Sequence, residues 1–328
     1  MRLMMPFDPD LNLIPDDPRV DCFRWTTECT LDLQNPPEAC GLDEMSWAEA
    51  LAHEAVWVDG YPRGIDAPGE APAGARIVVY THQSTPPALT LPDGAILHDA
   101  HGVVAVNKPA GMSTQRTRAS ARRCMQWLLQ EKLGDSGLRA VHRLDRDTSG
   151  VVLFARDRET TAALHKQFQA RRVDKRYLAV VPGLPKVATT VEGHMYRLPK
   201  GHQPTPPEGP QPRSPVQLKF TMGPEPRPEL DSRPSETRFT RLRQLGARSL
   251  VEARPITGRT HQIRVHLDHL GLPICGDRLY GPGEALQRAP RLMLHAARIE
   301  VPLNRNPIAI ECPAPKAFTA GWTEESER

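Results

Sequence analysis

The run His142-Arg143-Leu144-Asp145-Arg146-Asp147-Thr148-Ser149-Gly150 sets a carboxylate among arginines and leads at once into Val151-Val152-Leu153-Phe154-Ala155. That second piece is a short apolar run of the kind a buried strand makes. Opposite charge within about 4–6 Å holds a carboxylate ionised, and an ionised, partly desolvated Asp is a usable nucleophile. Taken alone, the run is equally compatible with a surface turn carrying a local ion-pair network.

Three further stretches carry residues able to work with that carboxylate. One is Asn107-Lys108-Pro109-Ala110-Gly111, a turn following an apolar strand. Another is Lys175-Arg176-Tyr177-Leu178-Ala179. The third runs from Thr257-Gly258-Arg259-Thr260-His261-Gln262-Ile263-Arg264-Val265-His266 through Gly276-Asp277-Arg278-Leu279-Tyr280-Gly281 to Leu294-His295-Ala296. Here Thr260 is placed to cap a helix with Ile263, Leu267 and Leu270 as its apolar stripe, stopped by Gly271 and Pro273. His261 and Arg264 stand three apart and share a face, which can present a guanidinium to a carboxylate from elsewhere in the chain. His142, His261 and His295 suit structural hydrogen bonds better than acid–base work.

The elements that must position these groups are strands and helices interspersed without a regular βαβ repeat. Val103–Val106 reads as a strand, Cys124–Leu133 as a helix, and Asp157 as the cap of a helix with Leu164 and Phe168 on its buried face. Tyr177–Val181 and Leu250–Arg254 read as strands, with more near Ile299. That pattern predicts a mixed, largely antiparallel α+β architecture. Upstream, residues 1 to about 42 are rich in Pro and Asp and read as an extended arm. Ser46 is placed to cap a short helix to Ala55, followed by Val56-Trp57-Val58, the turn Asp59-Gly60 and a strand Ala75–Tyr80. Residues 199 to about 235 are crowded with proline and read as an excursion from the fold.

The 328 residues allow one large or two modest domains, and the net charge is only +3. Its distribution says more: Arg116, Arg118, Arg122 and Arg123 cluster, as do Arg171, Arg172, Lys175 and Arg176, and Arg238, Arg241, Arg243 and Arg248. Such clusters fit a polyanion surface, and the planar fork of Arg suits phosphate. The six cysteines are scattered with no C-x-x-C pair, which points to neither a disulfide framework nor a zinc site. No signal peptide and no membrane-spanning apolar run is evident, so a reduced cytoplasmic setting is expected.

Taken together, the four chemistry-bearing stretches resemble the RluA-type family of RNA pseudouridine synthases, across roughly Ile96 to Ala320. The pairing of HRLD-x-x-TSG with GRTHQIRVH carries the resemblance. It implies an α+β fold built on a bent, mainly antiparallel mixed sheet, with flanking helices and a central RNA-binding cleft. It implies isomerisation of specific uridines in ribosomal RNA, foremost of the large subunit, or in transfer RNA, with no cofactor and no metal. By motif, Asp145 is the catalytic aspartate, Arg264 its partner, and Tyr177 the residue lying against the target base and a candidate for the final proton removal from uracil. The substrate-binding set is Arg143, which could fill the gap left by the extruded base, Ile263, Lys108, Lys175, Arg259 and His261. Either attack by Asp145 at the sugar or abstraction of a sugar proton is compatible. After the N-K-P-A-G turn the family often shows a His-Pro pair; this chain has Met112-Ser113-Thr114-Gln115, so substrate choice is expected to differ.

The helix-then-hairpin order near the N-terminus partially resembles the small S-four-type RNA-binding domain, although its helix carries Glu49, His53 and Glu54 where basic residues are usual. The expected layout is an extension over 1–42, an S-four-like domain over 43–83, a linker over 84–94, a catalytic domain over 95–321 and a tail over 322–328. A monomer that acts on RNA without a membrane or an obligatory protein partner is expected. The rival readings are a non-catalytic RNA-binding factor in ribosome assembly and a hydrolase, since an Asp acting on a sugar is also glycosidase chemistry.

Overall fold

Period-two alternation, with apolar residues inward and polar residues outward, builds a small antiparallel sheet from the first part of the chain. The computed structural model describes residues 20–37, 42–82, 89–198, 220–281, 289–303 and 307–318. Over these residues the chain forms two compact units, one from 20–92 and 112–138, the other from 93–111 and 139–318.

The first unit holds β1 (Val20–Thr26), β2 (Leu31–Asp32), α1 (Glu44–Ala52), β3 (Val56–Val58), β4 (Tyr61–Arg63), β5 (Glu70–Ala71), β6 (Arg76–His82) and α2 (Met125–Leu133). Its four-stranded sheet runs β1-β6-β3-β4, all pairs antiparallel, while β2 pairs with β5. Trp47, Ala50 and Leu51 of α1 pack in one core with Val56, Val58, Ile77 and Val79, and with the half-buried Phe23 and Trp25. The helix is capped by Asp43, whose Oδ1 accepts the Ser46 amide at 2.7 Å. Ser46, the expected cap, therefore sits inside the first turn. The expected extended arm also needs correction: Phe23-Arg24-Trp25-Thr26 alternates with period two, and β1 is a full strand hydrogen-bonded to β6. The part of that arm at residues 1–19 lies outside the described residues, as does the first part of the expected linker, 84–88.

The second unit follows with β7 (Ile96–Ala100), β8 (Val103–Lys108), β9 (Arg139–Ala140), β10 (Ser149–Ala155), α3 (Arg158–Gln169), β11 (Asp174–Pro182), β12 (Ala188–Arg197), β13 (Phe220–Gly223), β14 (Arg233–Leu245), β15 (Arg248–Pro255), α4 (Gln262–His269), β16 (Leu294–Val301) and β17 (Ile308–Glu311). The strands form one sheet in the order β13-β12-β14-β15-β11-β16-β10-β8-β7, with β17 on β16 and β9 on β10. This is the mixed, mainly antiparallel α+β fold the sequence predicts. The one parallel ladder between the described strands joins β10 to β16, Ser149 opposite His295 and Gly150 opposite Ala296. Every residue of β10 is buried, as expected for a strand covered on both faces.

The proline-rich excursion is shorter than expected. Its portion over 199–219 lies outside the described residues, but β13 begins at Phe220 and β14, 13 residues long, begins at Arg233. The prolines at 224, 226 and 228 fall between these strands, where no ladder amide is needed.

The β10–β16 junction places the Asp145 loop, and two features secure it. Gly150 has φ +114°, and a Cβ there would sit 2.3 Å from the Ala296 carbonyl oxygen. Beside it, the Ser149 hydroxyl meets His295 Nδ1 at 2.7 Å and accepts from Arg291 Nη2 at 2.6 Å, all three residues being buried. Gly150→Ala combines backbone strain with a backbone clash, so it should cost roughly 2–5 kcal/mol. Chemical denaturation of the full chain measures this, and an unchanged midpoint would show that the junction does not need glycine.

Candidate active site

Asp145 lies in the loop between β9 and β10, held by a turn in which the Thr148 amide donates to the Asp145 carbonyl at 3.2 Å. Lys108, at the end of β8, supports this loop from below. Its ammonium donates to the carbonyls of Pro109 at 2.8 Å and Arg146 at 2.9 Å, and Arg146 Nε reaches the Gly111 carbonyl at 2.9 Å. Lys108 is 0% exposed, so the expected substrate-binding role is corrected to a structural one. Burial pushes its ammonium down to about 7, against the pull of Asp147 and Asp145.

The second half of the site is the start of α4. His261, not Thr260, is the N-cap, and it makes no side-chain capping bond. The work of fixing the helix start falls to buried Gln262. Its Oε1 accepts from the Thr257 hydroxyl at 2.6 Å and the Arg259 amide at 3.0 Å, and its Nε2 donates to the Glu236 carbonyl and the Thr237 hydroxyl, both at 2.9 Å. That uses the amide's full hydrogen-bonding capacity. His261 is thereby held at φ +60°, a conformation uncommon for a residue with a Cβ.

Arg264 then points toward Asp145. Its Nε and Nη2 bind both oxygens of Asp277, at 2.7 and 2.8 Å, leaving Nη1 3.4 Å from Asp145 Oδ2. Asp277 Oδ1 also accepts the amides of Leu279 at 2.9 Å and Tyr280 at 3.1 Å. Burial raises the Asp277 carboxyl, but Arg264 and these amides outweigh it and hold it below its ordinary value. Burial likewise works against the Arg264 charge, and Asp277 and Asp145 overcome it. Gly276 allows the turn that delivers Asp277: a Cβ there would lie 1.9 Å from the Arg291 carbonyl oxygen. The Tyr280 ring packs under the guanidinium at 5.1 Å. Its hydroxyl accepts the Phe220 amide at 3.0 Å and meets His261 Nδ1 at 2.9 Å, which turns His261 Nε2 to within 3.9 Å of Asp145.

These groups surround a cavity of about 300 Å³. Arg143, Asp145, Lys175, Tyr177, Arg259, His261, Ile263 and Arg264 line it, and Asp145 is the single carboxylate among the lining residues. The structure thus gathers every expected site residue except Lys108. Tyr177 arrives through a register shift between Arg176 and Tyr177 in the β11–β16 ladder, of the sort that re-aims side chains beside functional sites. Burial, then the Asp145 charge, raise its phenol well above the ordinary value. Lys175 donates to the Thr257 carbonyl at 3.3 Å, and burial draws it down to about 8. Arg143 is exposed at the cavity wall, and Arg259 Nε donates to the Pro234 carbonyl at 3.1 Å. His142 accepts the Leu153 amide through Nε2 at 3.0 Å and stacks on Phe168 at 5.0 Å between centroids.

Sequence reading assigned no individual role to Asp277, Tyr280 or Gln262, and placed Phe168 on the buried face of α3, where it instead lines the cavity. The signal for the first two was present in Gly276-Asp277-Arg278-Leu279-Tyr280-Gly281, a glycine-bounded run with an acid and a phenol. Nothing in spacing alone tied it to Arg264.

Residues 102–269 match the family described as RNA pseudouridylate synthase. An uncharacterized RNA pseudouridine synthase of Chloroflexus aurantiacus is 37% identical over 197 residues, 58% of this chain and 56% of that protein. The dual-specificity RNA pseudouridine synthase RluA of Vibrio cholerae is 36% identical over 62% of this chain and 75% of its own length. The ribosomal large subunit pseudouridine synthase C of Vibrio vulnificus is 34% identical over 68% and 66% respectively. Among solved structures, human RNA pseudouridylate synthase domain containing 1 superposes with a TM-score of 0.53 at 29% identity, covering 67% of this chain and 83% of that one.

Removing one partner of a buried ion pair strands the other, at about 3–5 kcal/mol. Asp277→Ala should therefore lower unfolding stability by that amount, and the apolar double variant Asp277→Leu/Arg264→Met should recover most of it. Equal stability of Asp277→Ala and the parent chain would remove the pair from the architecture. Burial also pushes His142 down to about 3 and His266 and His295 down to about 4. Below their ordinary value near 6.5 the unfolded chain takes up protons that the folded chain refuses. Stability should fall as pH drops from about 6.5 toward 4, and a flat profile of denaturation midpoints across that window would contradict it.

Proposed function

The chain belongs to the RNA pseudouridylate synthase family, and on that premise we propose that it isomerises specific uridines in RNA to pseudouridine. The observation that carries this reading is the single cavity-lining carboxylate, Asp145, held beside Arg264 Nη1 at 3.4 Å and sharing the cavity with Tyr177. The reaction breaks the bond from sugar C1′ to N1, forms one from C1′ to C5, moves a proton off C5 and gives one to N1. No net oxidation, reduction or hydrolysis occurs, so the site must keep uracil associated rather than release it.

Each residue has a part in that chemistry. A uridine inside folded RNA reaches Asp145 only when flipped out, at a cost of a few kcal/mol. Tyr177 and Ile263 form the walls for the flipped base, and base–aromatic stacking repays about 1–3 kcal/mol. The raised phenol of Tyr177 suits a stacking, hydrogen-bonding role at neutral pH. Asp145 acts at the sugar, with Arg264 holding the carboxylate in place. Exposed Arg143 occupies the gap the base leaves, and Lys175, Arg259 and His261, which line the cavity, contact the substrate. As substrate we propose ribosomal RNA, foremost of the large subunit, or transfer RNA, in keeping with the relatives' names, and action as a cytoplasmic monomer. A hydrolase would need a second carboxylate about 5–10 Å away as acid or base. Of the neighbouring acids, Asp277 is wholly buried and bound on both oxygens by Arg264, and Asp147, two residues on from Asp145, is not among the residues lining the cavity.

Carbodiimide-based mapping of pseudouridine in ribosomal and transfer RNA, from cells with and without this gene, should show loss of one or a few discrete sites. No change in either RNA would leave the proposal without its substrate. With purified protein, Asp145→Asn should abolish pseudouridine formation while RNA affinity stays within a few-fold; retained turnover would remove Asp145 from the chemistry.

A further inference from the structure

Period-two alternation gives the sheet of the first unit two faces of different character. Val56, Val58, Ile77 and Val79 face the core with α1. The register then places Arg24, Val78, Trp57 and Pro62 in one row across the opposite face, β1-β6-β3-β4. Arg76, two residues before Val78, lies on the same face and is exposed, as is Arg24.

A loop of the same unit is folded onto this face. Trp57 Nε1 donates to the Arg118 carbonyl at 2.9 Å, and the guanidinium carbons of Arg116 and Arg118 lie 5.9 and 6.0 Å from the indole centroid. The loop is built rather than loose. The Ala121 amide donates to the His53 carbonyl at 2.8 Å, and Ser120 Oγ meets His53 Nδ1 at 3.0 Å while accepting the amides of Arg122 and Arg123. Arg116 also pairs at 2.7 Å with Glu54, which lies beyond the end of α1 at Ala52 and not on the helix expected to reach Ala55.

Charge on the sheet side of the unit is mainly basic. The helix side carries Glu44 and Glu49 and no base in the last turn of α1. The sheet side carries Arg24, Arg76, Arg116 and Arg118 around an indole, against Glu54, already paired, and Asp59, whose Oδ1 accepts the Arg76 amide at 2.9 Å. A cation–π contact at an exposed site is worth only about 0.5–1 kcal/mol, too little to explain several arginines gathered there by itself. Planar guanidiniums set beside an aromatic ring on an open sheet face are the combination that takes phosphates bidentately and tolerates stacked bases.

We propose that this sheet face, centred on Trp57 with Arg24, Arg76, Arg116 and Arg118, is a second RNA-binding surface that grips the phosphate backbone. The proposal rests on the RNA-modifying reading above but uses none of the cavity residues. RNA engages the sheet side of the unit, where the S-four-type resemblance would have placed it on the helices. Sequence-independent phosphate contacts of this kind set affinity and register while the cavity selects the base.

The test compares the full chain with Arg76→Glu/Arg118→Glu, and with the milder Arg76→Gln/Arg118→Gln in case charge reversal disturbs folding. The probe is an unmodified large-subunit ribosomal RNA transcript. Losing two phosphate contacts should weaken binding by roughly tenfold or more near 100 mM salt and make the slope of log affinity against log salt shallower by about 1–2. KM should rise by a similar factor with kcat unchanged. Equal affinity and equal salt slope in parent and variants would overturn the proposal, whether the face then binds an acidic protein or nothing. Failure of the RNA-modifying reading shows separately, as a parent chain that forms no pseudouridine in any transcript, while the affinity comparison still decides the fate of this surface.

Discussion

The site depends on one buried guanidinium with two jobs. Arg264 gives Nε and Nη2 to Asp277 and keeps Nη1 for Asp145. A buried pair is weak evidence for stability, because desolvation consumes much of the Coulomb gain. Its value here is directional. A planar fork held on two of its edges has no torsional freedom left for the third, so Nη1 is aimed without help from Asp145. Asp277 can hold the fork because two backbone amides and a turn closed by Gly276 hold it in turn.

The opposite partner is placed by strand pairing. Asp145 sits in a loop whose exit strand, β10, is clamped to β16 across Gly150 and Ala296, closer than any side chain allows. Buried Lys108 ties the loop's carbonyls from below. Backbone and ion-pair constraints, all from one sheet and the helix beside it, thus converge on a distance of 3.4 Å between two residues 119 positions apart. Such pre-positioning is what lets an electrostatic contact act without reorganisation during reaction.

Charge is distributed by the same alternation that builds the sheets. The chain's net charge of +3 would support only modest attraction to a polyanion. Concentrated on one sheet face around Trp57, and again at the cavity wall through Arg143, Lys175 and Arg259, it produces local fields that the total conceals.

The sequence by itself determined the α+β class and most strand and helix positions through periodicity, and its HRLD and HQIR motifs, through the family resemblance, pointed to Asp145, Arg264 and several other residues that line the cavity. It also placed Asp157 as the cap of α3, since a cap is decided within one turn. Strand β1 was legible in Phe23-Arg24-Trp25-Thr26 but masked by the Pro- and Asp-rich composition around it. What only the tertiary structure decided are properties of partners distant in the chain. Lys108 reads as a basic residue in a turn until its burial beneath the Asp145 loop makes it a structural tie. Asp277 and Tyr280 carry no periodic signal, and their bond to Arg264 exists only once the turn after α4 folds back on it. The basic sheet face likewise needs Arg24, Arg76 and Arg116 brought around Trp57 from separate segments. Local pattern specifies which way a side chain faces along its own element, whereas long-range packing alone specifies what it faces.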